Sequence, residues 1–302
     1  MKGYPNDLYI LAFDHRGTLT KGILGVEGRK PTTEESSKVS EMKDIIFDGF
    51  LLAKDRGIAG GDPAILVDEQ FGLKVQQKAK EKGIKFAAPV EKSGQNVFEM
   101  EYGENYREKI EEIDANFVKV LIRWNPDDDL ETREIQGNRT KDLSDYLSDS
   151  EKKFLLEFLV PPTEKQLATV DGDQERYDSE IRPKLAVSVV EEMREKGADP
   201  DIWKIEGLDT KEDCENISKT IKSGGRDDVI AVVLGRGANN NKVNEWLKAG
   251  SSVDGYKGFA IGRSIFWDSL VGWYKGDKTR EVAVDEIADS YLGFISTYQS
   301  KD

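Results

Sequence analysis

The chain has 302 residues, 34% of them charged, and a formal net charge of −14, which argues against nucleic acid or an anionic membrane as the main partner. No apolar run approaches the roughly 20 residues needed to span a bilayer, and Met1–Asp7 carries no signal-peptide core. One cysteine (Cys214) and one histidine (His15) exclude an intrachain disulfide, a Cys-rich metal site and a zinc site built on two or three histidines. The lone cysteine fits a reducing, cytoplasmic setting.

Short apolar or β-branched runs alternate with amphipathic ones along the whole chain. The first strand, Leu8–Phe13, runs into Asp14-His15-Arg16-Gly17. Asp14 there can orient a substrate hydroxyl and Arg16 can contact an anion, or the two can cap the loop as a salt bridge. A lone loop histidine such as His15 is more often solvated or hydrogen-bonded than a general base. A helix over Thr33–Arg56 leads to a second strand, Ala64–Val67, followed by Asp68-Glu69; a helix over Gly72–Lys82 leads to a third, Lys85–Ala88, followed by Glu91-Lys92-Ser93. These two acidic turns are further strand-end positions for which substrate contact and structural pairing stay equally open.

After a helix at Asn105–Ile113 come the strands Phe117–Arg123 and Phe154–Leu159, separated by Pro126–Ser150, which reads as a loop plus a helix. Pro161–Tyr177 reads as a long loop, and Glu180–Lys196 as a helix. The strands Asp201–Ile205, Val229–Leu234 and Gly258–Ile261 follow, with helices at Lys211–Lys222 and Lys242–Lys248 between them and Arg280–Tyr298 closing the chain. Eight strands alternating with helices, without a linker or composition break, predict one (β/α)₈ barrel over residues 1–302. An open doubly wound sheet is the alternative, but no GxGxxG follows the first strand.

Three charges interrupt successive apolar strands: Lys119, Glu157 and Lys204. Strand side chains alternate faces, so Lys119, Leu121 and Arg123 share one face, as do Leu155, Glu157 and Leu159, and Ile202, Lys204 and Glu206. The large apolar sets must meet the helices, which turns the charged sets into the barrel. Buried charges are costly unless paired. Two lysines beside a carboxylate suit imine chemistry, because a neighbouring cation and burial both favour a neutral amine. Either lysine can then be the nucleophile, with Glu157 moving protons. A Lys–Glu–Lys network that merely fixes strand register is the structural alternative.

The seventh strand ends in Gly235-Arg236-Gly237 and the eighth in Gly262-Arg263-Ser264. Barrels often bind phosphate with these two loops and a nearby helix N-terminus, so the glycines, Arg236 and Arg263 form a candidate phosphate site, with Arg123, Asp14 and Arg16 as further substrate contacts; alternatively the glycines only make tight turns and the arginines bind carboxylates. Trp203, Phe266, Trp267 and Trp273 read as packing residues, and Cys214 as inert.

In order along the chain, LAFDHRGTL (Leu11–Leu19), ILVDEQFG, VEKSG, VKVLIRWNPDD, FLLEFLVPP, DIWKIEGLD, VVLGRGA and GFAIGRSIFWDSL resemble the class I aldolase barrels that include tagatose-1,6-bisphosphate and sulfofructose-phosphate aldolases. The segments IRWNPDD, DIWKIEGLD and AIGRSIFWD are most similar to the aldolase domain of myo-inositol catabolism, which cleaves 2-deoxy-5-keto-gluconate 6-phosphate. The resemblance implies a metal-independent lyase without cofactor. Lys204 would be its Schiff-base lysine, Lys119 and Glu157 the acid–base partners, and Arg263 with its neighbouring glycines the phosphate clamp. The implied partner is a small phosphosugar; a barrel of this size is also compatible with a homo-oligomer. Other phosphosugars, or a regulator that binds one without turnover, remain as alternative readings.

Overall fold

The computed structural model describes residues 2–300. Eight parallel strands close in sequence order into a barrel: β1 (Leu8–Ala12), β2 (Asp62–Leu66), β3 (Lys85–Pro89), β4 (Phe117–Arg123), β5 (Lys153–Leu159), β6 (Ile202–Glu206), β7 (Ile230–Leu234) and β8 (Tyr256–Ile261). The predicted (β/α)₈ TIM barrel is the observed fold.

Before β2 come α1 (Gly17–Gly22) and α2 (Thr33–Arg56), then α3 (Glu69–Glu81), α4 (Tyr106–Ile113) and α5 (Leu130–Ser148) follow β2, β3 and β4. The β5–β6 connection holds α6 (Glu164–Thr169), the single turn α7 (Gln174–Arg176), a π-turn at Tyr177–Ile181 and α8 (Arg182–Glu195). After β6 and β7 come α9 (Lys211–Lys222) and α10 (Asn240–Ser251); α11 (Arg263–Lys275) and α12 (Arg280–Gln299) follow β8.

The alternation of side chains divides the core in two. Leu8, Ile10, Ala64, Leu66, Phe117, Leu155, Ile202 and Val232 fill the barrel interior, with Tyr4 among them. Tyr9, Leu11, Val118, Val120, Phe154, Leu156, Trp203 and Phe259 face outward onto the helices. The small interior residues at Ala12, Ala87 and Ala260 leave room for long polar side chains near the strand C-termini.

Local chemistry sets the helix ends. Thr32 and Glu35 form a reciprocal capping box that starts α2, and Asp68 caps α3 by accepting from Phe71 N at 3.0 Å. The predicted loop Pro161–Tyr177 is more structured than expected, because a Thr163–Gln166 capping box starts α6 and Asp173 caps α7. The α11 helix has no counterpart among the expected elements; its aromatic-rich start runs on from the apolar β8 without a polar cap residue. No helix among the described residues is long and apolar enough to cross a membrane.

Candidate active site

A cavity of about 1300 Å³ opens at the C-terminal ends of the strands. At its floor lie the three charges expected on β4, β5 and β6. Lys119 is 2% exposed, Lys204 3% and Glu157 6%. Strand register explains how they meet. Glu157 is level with Lys204 on β6, whereas its β4 partner is Leu121, so Lys119 starts one interior layer deeper and reaches upward. Glu157 bridges the two: Oε1 lies 2.9 Å from Lys204 Nζ and Oε2 3.0 Å from Lys119 Nζ.

The two lysines differ in company. Lys119 Nζ also pairs with Asp14 at 2.9 Å and Glu91 at 2.7 Å, so three carboxylates surround it. Burial works against the Lys119 ammonium, but Asp14, Glu157 and Glu91 outweigh it and hold its pKa well above the ordinary lysine value. Among the described residues, Lys204 has only Glu157 as an ion-pair partner. Burial likewise pushes Asp14 and Glu157 upward, yet Lys119 and Lys204 overcome it and keep both carboxylates below their ordinary range.

Glu91 behaves oppositely. Burial dominates there and raises its pKa despite Lys119, and its Oε2 is buried without a hydrogen-bond partner. Sequence alone leaves Glu91 open between substrate contact and structural pairing. The missed signal was parity: Ala87, Pro89 and Glu91 alternate onto the interior face, and Pro89 is level with Lys119.

The first loop holds Asp14 from behind. Lys43, fully buried on α2, hydrogen-bonds the carbonyls of Phe13 at 2.5 Å and His15 at 3.1 Å, and pairs with Asp68 at 2.5 Å. Asp68 is therefore a structural partner beneath the loop, not a group exposed to substrate. Arg16 pairs with Glu101 at 3.0 Å and donates to the Glu91 carbonyl at 2.8 Å, so it ties the first loop to the third and does not cap Asp14. His15 was expected to be solvated or hydrogen-bonded, but its Nδ1 is buried without a partner, and burial lowers its pKa to about 4.

The glycine-arginine turns come together as expected in position, though the two arginines differ in role. Arg263, at the start of α11, donates to the Arg236 carbonyl at 2.8 Å and has no carboxylate partner among the described residues. Burial lowers its pKa. Arg236, expected to bind anions, is instead held by Asp178 at 2.7 Å and Glu206 at 3.0 Å. Gly237 has φ 76°, and a Cβ there would sit 2.4 Å from the Arg263 guanidinium carbon. A Cβ at Gly262 would strike the Ala12 carbonyl at 2.1 Å, so β8 can leave the barrel beside β1 only with glycine. Gly235 lines the same rim.

Arg123 stands on the rim at the end of β4, four strands round the barrel from β8. It donates to the Gln95 carbonyl at 2.6 Å and also lacks a carboxylate partner among the described residues. The site thus has a lysine–carboxylate floor between two arginines that are not neutralised. Trp203 and Phe266 are buried in the core and Trp267 and Trp273 pack against it, as expected; Trp267 also borders the cavity. Cys214 is buried, and burial pushes its thiol up to about 12.

A model of the family described as uncharacterized protein conserved in bacteria (DUF2090) matches residues 2–302. No curated protein matches the sequence. Among solved structures, the chain is similar to Cgl0159 of Corynebacterium glutamicum, at 16% identity and a TM-score of 0.55, over 95% of this chain and 86% of that one. It is also similar to a Schiff-base-forming fructose-1,6-bisphosphate aldolase, at 14% identity and a TM-score of 0.52, over 96% of this chain and 94% of that one. At these identities the likeness is one of fold.

Proposed function

For this chain, which belongs to the DUF2090 family of proteins conserved in bacteria, we propose a metal-independent class I aldolase that cleaves a keto-acid or ketose phosphate through an imine on Lys204. The observation that carries this reading is the unequal pairing of the two buried lysines. Lys119 is locked as a cation by three carboxylates, while Lys204 shares one carboxylate oxygen. Only the second arrangement leaves a lysine that can give up its proton to a single neighbour and attack a carbonyl.

The steps follow from position. Glu157 takes a proton from Lys204, and the free amine adds to the ketone next to the phosphorylated carbon. Glu157 returns the proton to the carbinolamine hydroxyl, water leaves, and a protonated imine remains. That imine accepts the electron pair of the bond between its α- and β-carbons as the β-hydroxyl loses its proton and closes to an aldehyde. Glu91, whose free oxygen and raised pKa suit a proton acceptor, is assigned that proton. Protonation of the resulting enamine at carbon and hydrolysis then release dihydroxyacetone phosphate and restore Lys204. Lys119 stays charged throughout and holds Asp14, Glu91 and Glu157 around the reacting atoms.

Arg263 and the Gly235–Gly237 and Gly262 turns are assigned the phosphate, aided by the N-terminus of α11. Arg123, across the mouth, favours a substrate with a second anionic group. The best candidate is 2-deoxy-5-keto-gluconate 6-phosphate, whose second product would be malonate semialdehyde; tagatose 1,6-bisphosphate and sulfofructose phosphate carry their second anion as phosphate or sulfonate. Borohydride reduction in the presence of dihydroxyacetone phosphate, followed by mass mapping, tests the chemistry. The expected adduct is on Lys204. An adduct on Lys119 would overturn the site assignment, and no adduct at all would overturn imine catalysis. Cleavage assays across the three substrates then identify the aldehyde released.

A further inference from the structure

A second ionic cluster, partly buried on the side of β5, β6 and β7, takes no part in the steps above. Its centre is the Arg236 guanidinium, which donates to Asp178 Oδ1 at 2.7 Å and places Nε 3.0 Å from Glu206 Oε1. Asp178 lies in the π-turn before α8, where it also pairs with Arg182 Nε at 3.1 Å. Glu206 ends β6, is 3% exposed, and uses its other oxygen to accept from Val160 N at 2.9 Å. Burial raises the Glu206 pKa even with Arg182 and Arg236 nearby.

The cluster gathers three uncommon features. A π-turn is rare and concentrates at functional positions. A non-glycine residue in the left-handed region is disfavoured, because its Cβ crowds the backbone, and Arg236 has φ 51°. A carboxylate as buried as Glu206 is costly without partners. All three meet on one side chain, and their consequence falls on its backbone. The Arg236 carbonyl accepts from Arg263 Nη2 at 2.8 Å, and the adjoining Gly237 backbone lies against the same guanidinium.

The geometry points to Asp178 and Glu206 as positioning residues for the anion subsite. By holding the Arg236 side chain they fix its left-handed backbone, and that backbone aims Arg263 into the cavity. Neither carboxylate borders the cavity itself. The inference rests on the reading of Arg263 as the phosphate ligand. The same cluster has a rival account, in which Arg236 is itself a phosphate ligand restrained by its two carboxylates. The two accounts differ in sign: loosening the clamp weakens phosphate binding in the first and strengthens it in the second.

The test is calorimetric titration of the full chain with inorganic phosphate, paired with the concentration dependence of borohydride trapping for dihydroxyacetone phosphate and for unphosphorylated dihydroxyacetone. With Asp178→Asn, phosphate affinity is expected to fall about three- to tenfold. Half-saturating dihydroxyacetone phosphate should rise in step, and trapping of dihydroxyacetone should stay unchanged. Unchanged or tighter phosphate binding in that variant overturns the positioning role. Should Asp178→Asn fail to fold, Glu206→Gln carries the same measurement, since its amide oxygen still accepts from Val160 while the charge on the Arg236 side is lost. Arg263→Met is the separate control. A full loss of phosphate affinity there with none in Asp178→Asn rejects the clamp alone, whereas intact affinity in Arg263→Met rejects the phosphate subsite and the clamp with it.

Discussion

Lys119 and Lys204 carry the same functional group and are equally buried, and their neighbours give them opposite fates. Replacing Lys119 with Met leaves Asp14, Glu91 and Glu157 facing an apolar side chain. Removing one partner from a buried ionic network costs about 3–5 kcal/mol, so the urea midpoint of Lys119→Met should drop sharply. Lys204→Met leaves Glu157 still paired with Lys119, and its stability loss should be much the smaller, while imine trapping disappears completely. Equal destabilisation by the two substitutions would mean that the ion-pair counts do not describe their roles. His15 supplies a pH test. Its folded pKa of about 4 lies below its ordinary 6.5, so the unfolded chain takes up the proton first as pH falls. The stability from neutral His15 is complete above pH 6.5 and is lost between 6.5 and 4, to a total of about 3 kcal/mol. A His15→Gln variant should show a flatter dependence of melting temperature on pH across that window. Alternation alone made Lys119, Glu157 and Lys204 legible as interior residues. Parity also turns Glu91 inward beside Lys119, but it could not show that Lys119 collects Asp14, which arrives from the turn after β1, three strands away.

Pairs of elements, not single strands, hold the site open. The turn after β1 is gripped from below by Lys43 on α2, which holds the carbonyls on both sides of Asp14 while Asp68 of the α3 cap neutralises it. The Asp14 side chain is thereby directed inward to Lys119. Lys43→Met strands a buried Asp68 and should cost about 3–5 kcal/mol, whereas the double replacement Lys43→Met with Asp68→Leu should recover most of that loss. Denaturant unfolding of the single and double variants measures the difference; a double variant no more stable than the single one would show that the carbonyl contacts, not the charge pair, dominate. The strands and most of the helices were legible from period and caps, and α2 and α9 lie where their patterns place them. Three further elements were not. The α6 and α7 turns are too short to display a period, and the apolar face of α11 merges with the strand before it. The Lys43–Asp68 pair was hidden for a different reason: a lysine on an amphipathic helix normally reads as solvent-facing.

At the scale of the molecule, a barrel must close on itself, and local pattern says nothing about that seam. Here β1 and β8 pair in parallel, Leu8 level with Gly258 and Ile10 with Ala260. The final helix lies across their outer face. Tyr291 of α12 donates to the β1 carbonyl of Tyr9 at 2.6 Å, and Tyr298 donates to the β8 carbonyl of Tyr256 at 2.9 Å. Tyr9 and Phe259, neighbours across the seam with ring centroids 5.5 Å apart, are covered by Tyr291 and Tyr298. The α12 helix therefore stitches both edges and shields the aromatic pair from water. Tyr291→Phe removes one buried hydrogen bond and should cost about 1 kcal/mol without altering imine trapping, since the seam lies on the outer face while Lys204 points inward. Removing residues 280–299 uncovers the whole seam and should abolish cooperative unfolding and trapping together. If the shortened chain still melts cooperatively, the strand ladder between β1 and β8 suffices to close the barrel, and α12 is an accessory to the fold. If it does not, the lysine floor depends on a helix at the opposite end of the sequence, because only a closed barrel keeps β1 and its Asp14 at the height of Lys119 on β4.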